Sequence, residues 1–191
     1  MDIIAAAEIL SALTCLWAIW LNTRRKTAGW PIGLVSVLLA ALVYYDEGLY
    51  AECGLQFFYL ISGVYGWWQW RSAENIGPES QVWHLPMKRT EVITGIFLAL
   101  IASYFIYLVL QRFSGAVSPL PDALITGFSL LAQVWLARKK PENWLLWMLI
   151  NLGSVGLYLQ RELWFFAGLY FLLLLLAVRG YLSWKKSPQP C

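Results

Sequence analysis

Apolar residues fall into seven long runs, at 3–21, 30–45, 49–70, 92–110, 123–137, 144–159 and 163–183. A helix needs about 20 mostly apolar residues to cross a bilayer, so each run predicts a transmembrane span. The second, fifth and sixth are short and fit with little tilt or with aromatic ends. Polar breaks separate the runs. Residues 22–29 hold Arg24, Arg25 and Lys26, and Asp46-Glu47-Gly48 is a tight acidic turn. Residues 71–90 carry the turn signal Gly77-Pro78, and 111–122 carry Gly115, Pro119 and Pro121. Residues 138–143 are basic, and Gln160-Arg161-Glu162 predicts a second tight turn. The first run follows only Asp2 and is itself followed by positive charge, which predicts a retained helix and not a cleaved signal peptide.

Composition agrees with a lipid environment. The chain of 191 residues is 60% hydrophobic and 13% charged, against about 25% charged in soluble domains. The net charge of +3 is modest, and its placement decides its meaning. With the N-terminus outside, the inner loops and tail hold Arg24, Arg25, Lys26, Arg71, Lys88, Arg89, Arg138, Lys139, Lys140, Lys185 and Lys186, with Arg179 near the inner end of the last span. Only Arg112 and Arg161 remain outside. This bias predicts N-out, C-in, and makes the basic residues topology charges, not a nucleic-acid stripe. Cys15, Cys53 and Cys191 match no disulfide framework or zinc spacing and read as small packing residues.

The chain repeats itself at an offset of 114 residues without a gap. Arg24 meets Arg138, Lys26 meets Lys140, Trp30 meets Trp144, and Tyr44 meets Tyr158. Leu49 meets Leu163, Gly54-Leu55 meets Gly168-Leu169, Phe57 meets Phe171, Gly66 meets Gly180, and Trp70 meets Trp184. One span lies between the two triplets, so equivalent helices cross in the same direction. The expected fold is therefore an all-α membrane protein with seven transmembrane helices in a 3-1-3 arrangement. Residues 1–70 form the first three-helix repeat. Residues 71–122 form the inner loop, linker helix and outer loop, and 123–191 the second repeat and cytoplasmic tail. Parallel repeats of this kind occur in SWEET-class transporters, with substrate bound at the repeat interface near the midplane.

Polar groups inside the spans supply the candidate chemistry. On the sixth span, Trp144, Trp147, Asn151, Ser154 and Tyr158 share one face by helical period. A buried amide needs a partner, which is either a neighbouring helix or a ligand. Aromatic rings beside an amide suit a flat heteroaromatic ligand. On the third span, Glu52, Gln56, Tyr59 and Gly63 share a face. Gln133 on the fifth span, and Glu8 with Ser11 on the first, add polar groups. Glu8 and Glu52 lie towards the outer side and either face a cavity or reach interfacial water. Trp30, Trp67, Trp68, Trp70, Trp164 and Trp184 lie near span ends, where an interfacial aromatic belt accounts for them. His84, the one histidine, lies in the long inner loop and reads as a surface residue. No catalytic triad, zinc motif, P-loop or dinucleotide fingerprint is present, which counts against a membrane enzyme and an ATP-driven pump.

These residues carry a resemblance. Trp30-Pro31-Ile32-Gly33, Leu49-Tyr50-Ala51-Glu52 with Leu55-Gln56, and Tyr65-Gly66-Trp67-Trp68-Gln69-Trp70 look like the PnuC family of nicotinamide riboside transporters. So do Asn143-Trp144 with Trp147 and Asn151, and Gly180-Tyr181 with Trp184. The resemblance implies a homotrimer in the bacterial inner membrane, with no cofactor or metal. It implies vitamin uptake by facilitated diffusion, driven by trapping through a cytosolic kinase. Carried over, Gln56, Trp147 and Asn151 bind the ligand, with Glu52, Tyr59, Trp144 and Tyr158 as neighbours by helical spacing. The family also includes carriers of thiamine and riboflavin, and members with an additional N-terminal helix. Nicotinamide riboside and thiamine are both flat heteroaromatic cations, attractive to an aromatic wall. Glu8 or Glu52 is the candidate counter-charge. Two other classes stay open at this point: a structural or receptor-like membrane protein that moves nothing, and an ion-coupled transporter using Glu8 or Glu52 as proton carrier.

Overall fold

A computed structural model describes residues 3–46, 50–76, 87–113 and 119–185. Glu47-Gly48, Leu49, Gly77-Pro78, His84, Gly115, Lys186 and Cys191 lie outside the described residues, as does the side chain of Glu52. The described residues form seven helices joined by short turns: α1 Ile3–Thr23, α2 Gly29–Asp46, α3 Tyr50–Ile76, α4 Arg89–Phe113, α5 Pro119–Ala137, α6 Asn143–Gln160 and α7 Trp164–Lys185. Each overlaps one of the seven expected spans, and five contain theirs whole; Leu163 precedes α7 by one residue, and the expected start of the third span, Leu49, is outside the described residues. Five of them (α1, α2, α4, α5 and α7) are long and apolar enough to cross a membrane. The other two, α3 and α6, have 27 and 18 residues. They are also the helices that carry the polar candidates Gln56, Asn151 and Ser154, which lower their apolarity.

Burial runs opposite to that of a water-soluble protein. Ala18, Ala99, Ala123, Ala132, Ala167 and Ala177 are buried, whereas Leu13, Phe97, Phe105, Leu149 and Phe165 are exposed. Small residues between helices let backbones approach, and large apolar side chains facing outward meet lipid. The helices group into two compact units. The first contains α1, α2 and α3, with α2 packed on both of its neighbours. The second contains α4, α6, α7 and all of α5 to Leu136.

Within each unit the same wedge recurs. In the first, Trp30 meets Trp70 edge-on, with centroids 5.4 Å apart and planes at 82°. In the second, Trp144 meets Trp184 at 5.5 Å and 85°. A Cβ on Gly66 would lie 2.2 Å from the Trp30 ring, and one on Gly180 2.5 Å from Trp144. The glycines are therefore required for close ring-on-backbone approach. The indole N–H groups of Trp30 and Trp144 are both buried without a partner, so ring packing alone holds these two side chains. Trp70 also donates its indole N–H to the Ala137 carbonyl at 3.2 Å. Trp30, Trp70 and Trp184 are thus buried core residues and not the belt expected from their position near span ends. Trp68 and Trp164, 64% and 70% exposed, do fit a belt.

The basic loops also repeat, bond for bond. Lys26 N–H donates to Leu21 O at 3.0 Å, and Lys140 N–H to Trp135 O at 2.9 Å. Gly29 donates to Lys26 and Asn143 to Lys140, while Trp30 donates to Thr27 and Trp144 to Pro141. Arg25 and Lys139 both sit at φ 58°. This is the Schellman ending of a helix, in which the residue just past the cap is left-handed and usually glycine. α6 ends the same way: Leu163 N–H bonds Tyr158 O at 2.9 Å, and Glu162 takes φ 59°. Partial burial also draws the Arg25 guanidinium below its ordinary value, though arginine stays charged at any physiological pH.

α4 has its own seam. Gly95, Ala99 and Ser103 recur every four residues along one ridge of α4. A Cβ on Gly95 would meet Trp135 at 2.9 Å and Leu131 at 3.1 Å. One on Gly127 would meet Ser103 Oγ at 2.1 Å, its backbone N at 2.9 Å and Ala99 O at 3.0 Å. α4 and α5 therefore cross antiparallel in close backbone contact, as small-residue seams allow. At the start of α4, Lys140 approaches Glu91 at 3.9 Å and Met87 N–H donates to Glu142 Oε1 at 2.9 Å.

Candidate functional site

The two halves of the chain share the residues the fold needs and differ in those free for function. The wedge tryptophans, the glycines under them and the left-handed loop residues recur at the 114-residue offset. Three positions along the middle helix do not. α2 carries Gly33, Val37 and Ala40 where α6 carries Trp147, Asn151 and Ser154. The fold is satisfied by small or apolar residues at this register, so the polar side chains of α6 are additions to it.

Their environment is unusual. Asn151 is 3% exposed, yet no hydrogen bond to its amide is found among the described residues. Ser154 is 1% exposed, and its Oγ is buried without a partner. An unmade bond of this kind costs about 1–3 kcal/mol per buried group. Trp147 is half-buried on the same face, one turn nearer the basic loop. Together these three offer an aromatic surface and two unspent hydrogen-bonding groups.

The other α6 candidates are occupied. Trp144 is committed to the wedge with Gly180 and Trp184. Tyr158 stacks on Phe166 at 5.4 Å and on Tyr170 at 5.1 Å, with planes within 25° and 24°. Its ring serves the contact between α6 and α7.

In the first unit, Gln56 is half-buried on α3, with no hydrogen bond found among the described residues. Tyr59 is half-buried beside Phe58, ring centroids 6.0 Å apart. Glu8 is exposed on α1. Ser11 is spent: its Oγ donates to Ser36 O at 3.1 Å, and Ser36 Oγ donates back to Ser11 O at 2.9 Å, tying α1 to α2. The offset is again informative, because Glu52 and Gln56 fall where the second unit has Phe166 and Tyr170. The offset positions therefore differ in chemistry: the second unit has a stack of aromatic rings where the first has a carboxylate and an amide in sequence.

An ion pair closes the end of α6, between residues far apart in the chain. Arg161 Nη2 donates to Asp122 Oδ2 at 2.8 Å, joining the start of α5 to the turn between α6 and α7. Glu8 and Glu47 occupy the same register in the first half. Opposite charges at one pair of offset positions and like charges at the other were the available signal. No cluster of three or more His, Cys, Asp or Glu side chains is found among the described residues.

A family model described as "Nicotinamide mononucleotide transporter" matches residues 5–186. The nicotinamide riboside transporter PnuC of Escherichia coli (strain K12) is 25% identical to this chain, over 95% of the chain and 86% of the relative. The riboflavin/roseoflavin transporter RibM of Streptomyces davaonensis is 24% identical, over 93% and 84%. The crystal structure of the vitamin B3 transporter PnuC superposes with a TM-score of 0.76 at 23% identity, over 95% of this chain and 81% of that one.

Proposed function

The chain belongs to the nicotinamide mononucleotide transporter family, and on that premise we propose that it carries nicotinamide riboside across the bacterial inner membrane by facilitated diffusion. The observation that carries this reading is the buried residue Asn151, whose amide makes no hydrogen bond among the described residues, on the same face of α6 as the half-buried Trp147 ring. The ring stacks on the pyridinium cation and the amide pairs with its carboxamide. The further candidates of this proposal are Trp144 and Tyr158 beside that strip on α6 and, in the first unit, Gln56, Tyr59 and Glu52 of α3, with Glu8 as a candidate counter-charge.

Charge favours the riboside over the nucleotide. A phosphate group needs Lys, Arg or a helix N-terminus to replace its hydration. Neither candidate face carries a basic residue: α6 presents Trp147, Asn151 and Ser154, and α3 presents Glu52, Gln56 and Tyr59. The substrate this supports is a cation or a neutral heterocycle. Thiamine and riboflavin remain as outcomes of the test.

The accompanying architecture belongs to the same proposal. It is a 3-1-3 arrangement with N-terminus outside and C-terminus inside, a homotrimer, alternating access without ion coupling, and trapping of the product by a cytosolic kinase. The matching loops and wedges at the 114-residue offset support the repeat, and the basic bias supports the orientation. The deciding experiment has two parts. Calorimetry on the purified chain measures nicotinamide riboside, thiamine and riboflavin, and counterflow in proteoliposomes measures exchange of the ligand that binds. Riboside binding with exchange insensitive to pH and sodium gradients is the expected result. Binding without exchange indicates a receptor, gradient-dependent uptake indicates ion coupling, and preference for another vitamin reassigns the substrate.

A further inference from the structure

Ser154 has no structural explanation in the second unit. Helical serines and threonines usually satisfy themselves by bonding back to a carbonyl three or four residues earlier. Thr14 does so on Leu10 at 2.7 Å, Thr23 on Trp20 at 2.7 Å, Ser62 on Tyr59 at 3.2 Å and Ser129 on Ile125 at 2.8 Å. Ser154 does not: its Oγ is buried with no partner in a residue 1% exposed. Among the described residues the other such hydroxyl is Ser103, and there packing accounts for it, because Oγ occupies the space left by the missing Cβ of Gly127. Ser154 fills no such gap at any described glycine.

Its position adds a second argument. Ser154 lies three residues after Asn151, on the same face and about 4.5 Å further along the helix. Asn151 is likewise buried with no hydrogen bond among the described residues. At the same register in the first half stand Ala40 and Val37, so the helical triplet needs neither polar group. The unmade bond of the buried Ser154 hydroxyl is a cost in the empty protein. It becomes a gain only when a ligand completes it.

We propose that Ser154 is a substrate-binding residue, its hydroxyl pairing with a ribose hydroxyl while the Asn151 amide, one turn away, pairs with the nicotinamide carboxamide. This rests on the riboside reading given above. The strip orders the ligand along α6, with the ring against Trp147 and Asn151 and the sugar towards Ser154. It also gives selectivity, because a buried hydroxyl that expects a sugar is left unpaired by a pyridinium lacking one.

The test uses the full chain with Ser154→Ala, which removes one oxygen and leaves the packing. Binding of nicotinamide riboside and of 1-methylnicotinamide is measured by calorimetry, and ligand-free melting is followed in parallel. Riboside affinity is expected to fall about five- to tenfold, the loss of one hydrogen bond. Affinity for 1-methylnicotinamide should stay within about twofold of the parent, since no bond to the sugar is lost. The ligand-free melting temperature should be unchanged or raised. Ser154→Cys, similar in size with a weak donor, should show the same pattern. Unchanged riboside affinity in both variants overturns the assignment while leaving the riboside function intact. An equal fall for both ligands overturns the ribose contact, and a lowered melting temperature makes the residue structural. If the parent binds no riboside, the function itself fails and this inference with it.

Discussion

The ring of Trp144 lies over Gly180 with its edge geometry fixed by Trp184, centroids 5.5 Å apart and planes at 85°. A tryptophan fully buried at an α6–α7 contact, 1% exposed, needs a neighbouring backbone without a side chain. Gly180→Ala places a Cβ 2.5 Å from the ring and should cost about 1–3 kcal/mol, as overpacking does. Thermal melting in detergent checks this. Gly168→Ala on the same helix meets nothing within 4 Å and should stabilise by about 1 kcal/mol through helix propensity alone.

The seam between α4 and α5 should be at least as sensitive. At Gly127 the added Cβ meets backbone as well as side chain, Ser103 N at 2.9 Å and Ala99 O at 3.0 Å, so a rotamer change cannot relieve it. Gly127→Ala is expected to lower the melting temperature, by an amount equivalent to about 2–3 kcal/mol. Adding Ser103→Ala should recover only part of the loss, because the backbone contacts remain.

Glu162 offers a gain. It holds φ 59° in the Schellman ending of α6, where a residue with a Cβ pays about 1–2 kcal/mol relative to glycine. Glu162→Gly should raise the melting temperature without changing ligand affinity. A fall would mean that the Glu162 side chain makes a contact worth more than the strain.

Asp122 and Arg161 are each about a quarter exposed in their side chains, so the pair should be worth only about 0.5–1 kcal/mol. A double-mutant cycle with Asp122→Asn and Arg161→Gln isolates that coupling. Adding salt should shrink it, since the pair is partly screened by solvent.

Asn151→Ala should weaken riboside binding by about 1–3 kcal/mol without lowering ligand-free stability, because the amide makes no hydrogen bond among the described residues. Trp147→Ala should weaken it by about 1 kcal/mol or more through the lost ring contact. Calorimetry with melting controls reads both. A melting temperature that falls for Asn151→Ala would place the amide in helix packing.

The sequence by itself determined the seven helices, the basic bias of alternate loops and the register of the repeat. These are one-dimensional quantities, set by the length of apolar runs and by spacing. It also brought Trp147, Asn151 and Ser154 onto one face, since helical period alone does that. Only the tertiary structure decided which of these groups have partners. In lipid, a side chain facing acyl chains and one facing another helix can be equally apolar, so hydropathy could not tell the wedge residues Trp30, Trp70 and Trp184 from the exposed Trp68 and Trp164. For the same reason Trp144 and Tyr158, sequence neighbours of the candidate site, proved to be packed against α7. The left-handed residues Arg25, Lys139 and Glu162 carried no glycine to announce them. Whether a polar group inside a span is glue or an unfilled ligand contact depends on partners distant in the chain. That Asn151 and Ser154 make no side-chain hydrogen bond among the described residues became visible only when the helices were in place.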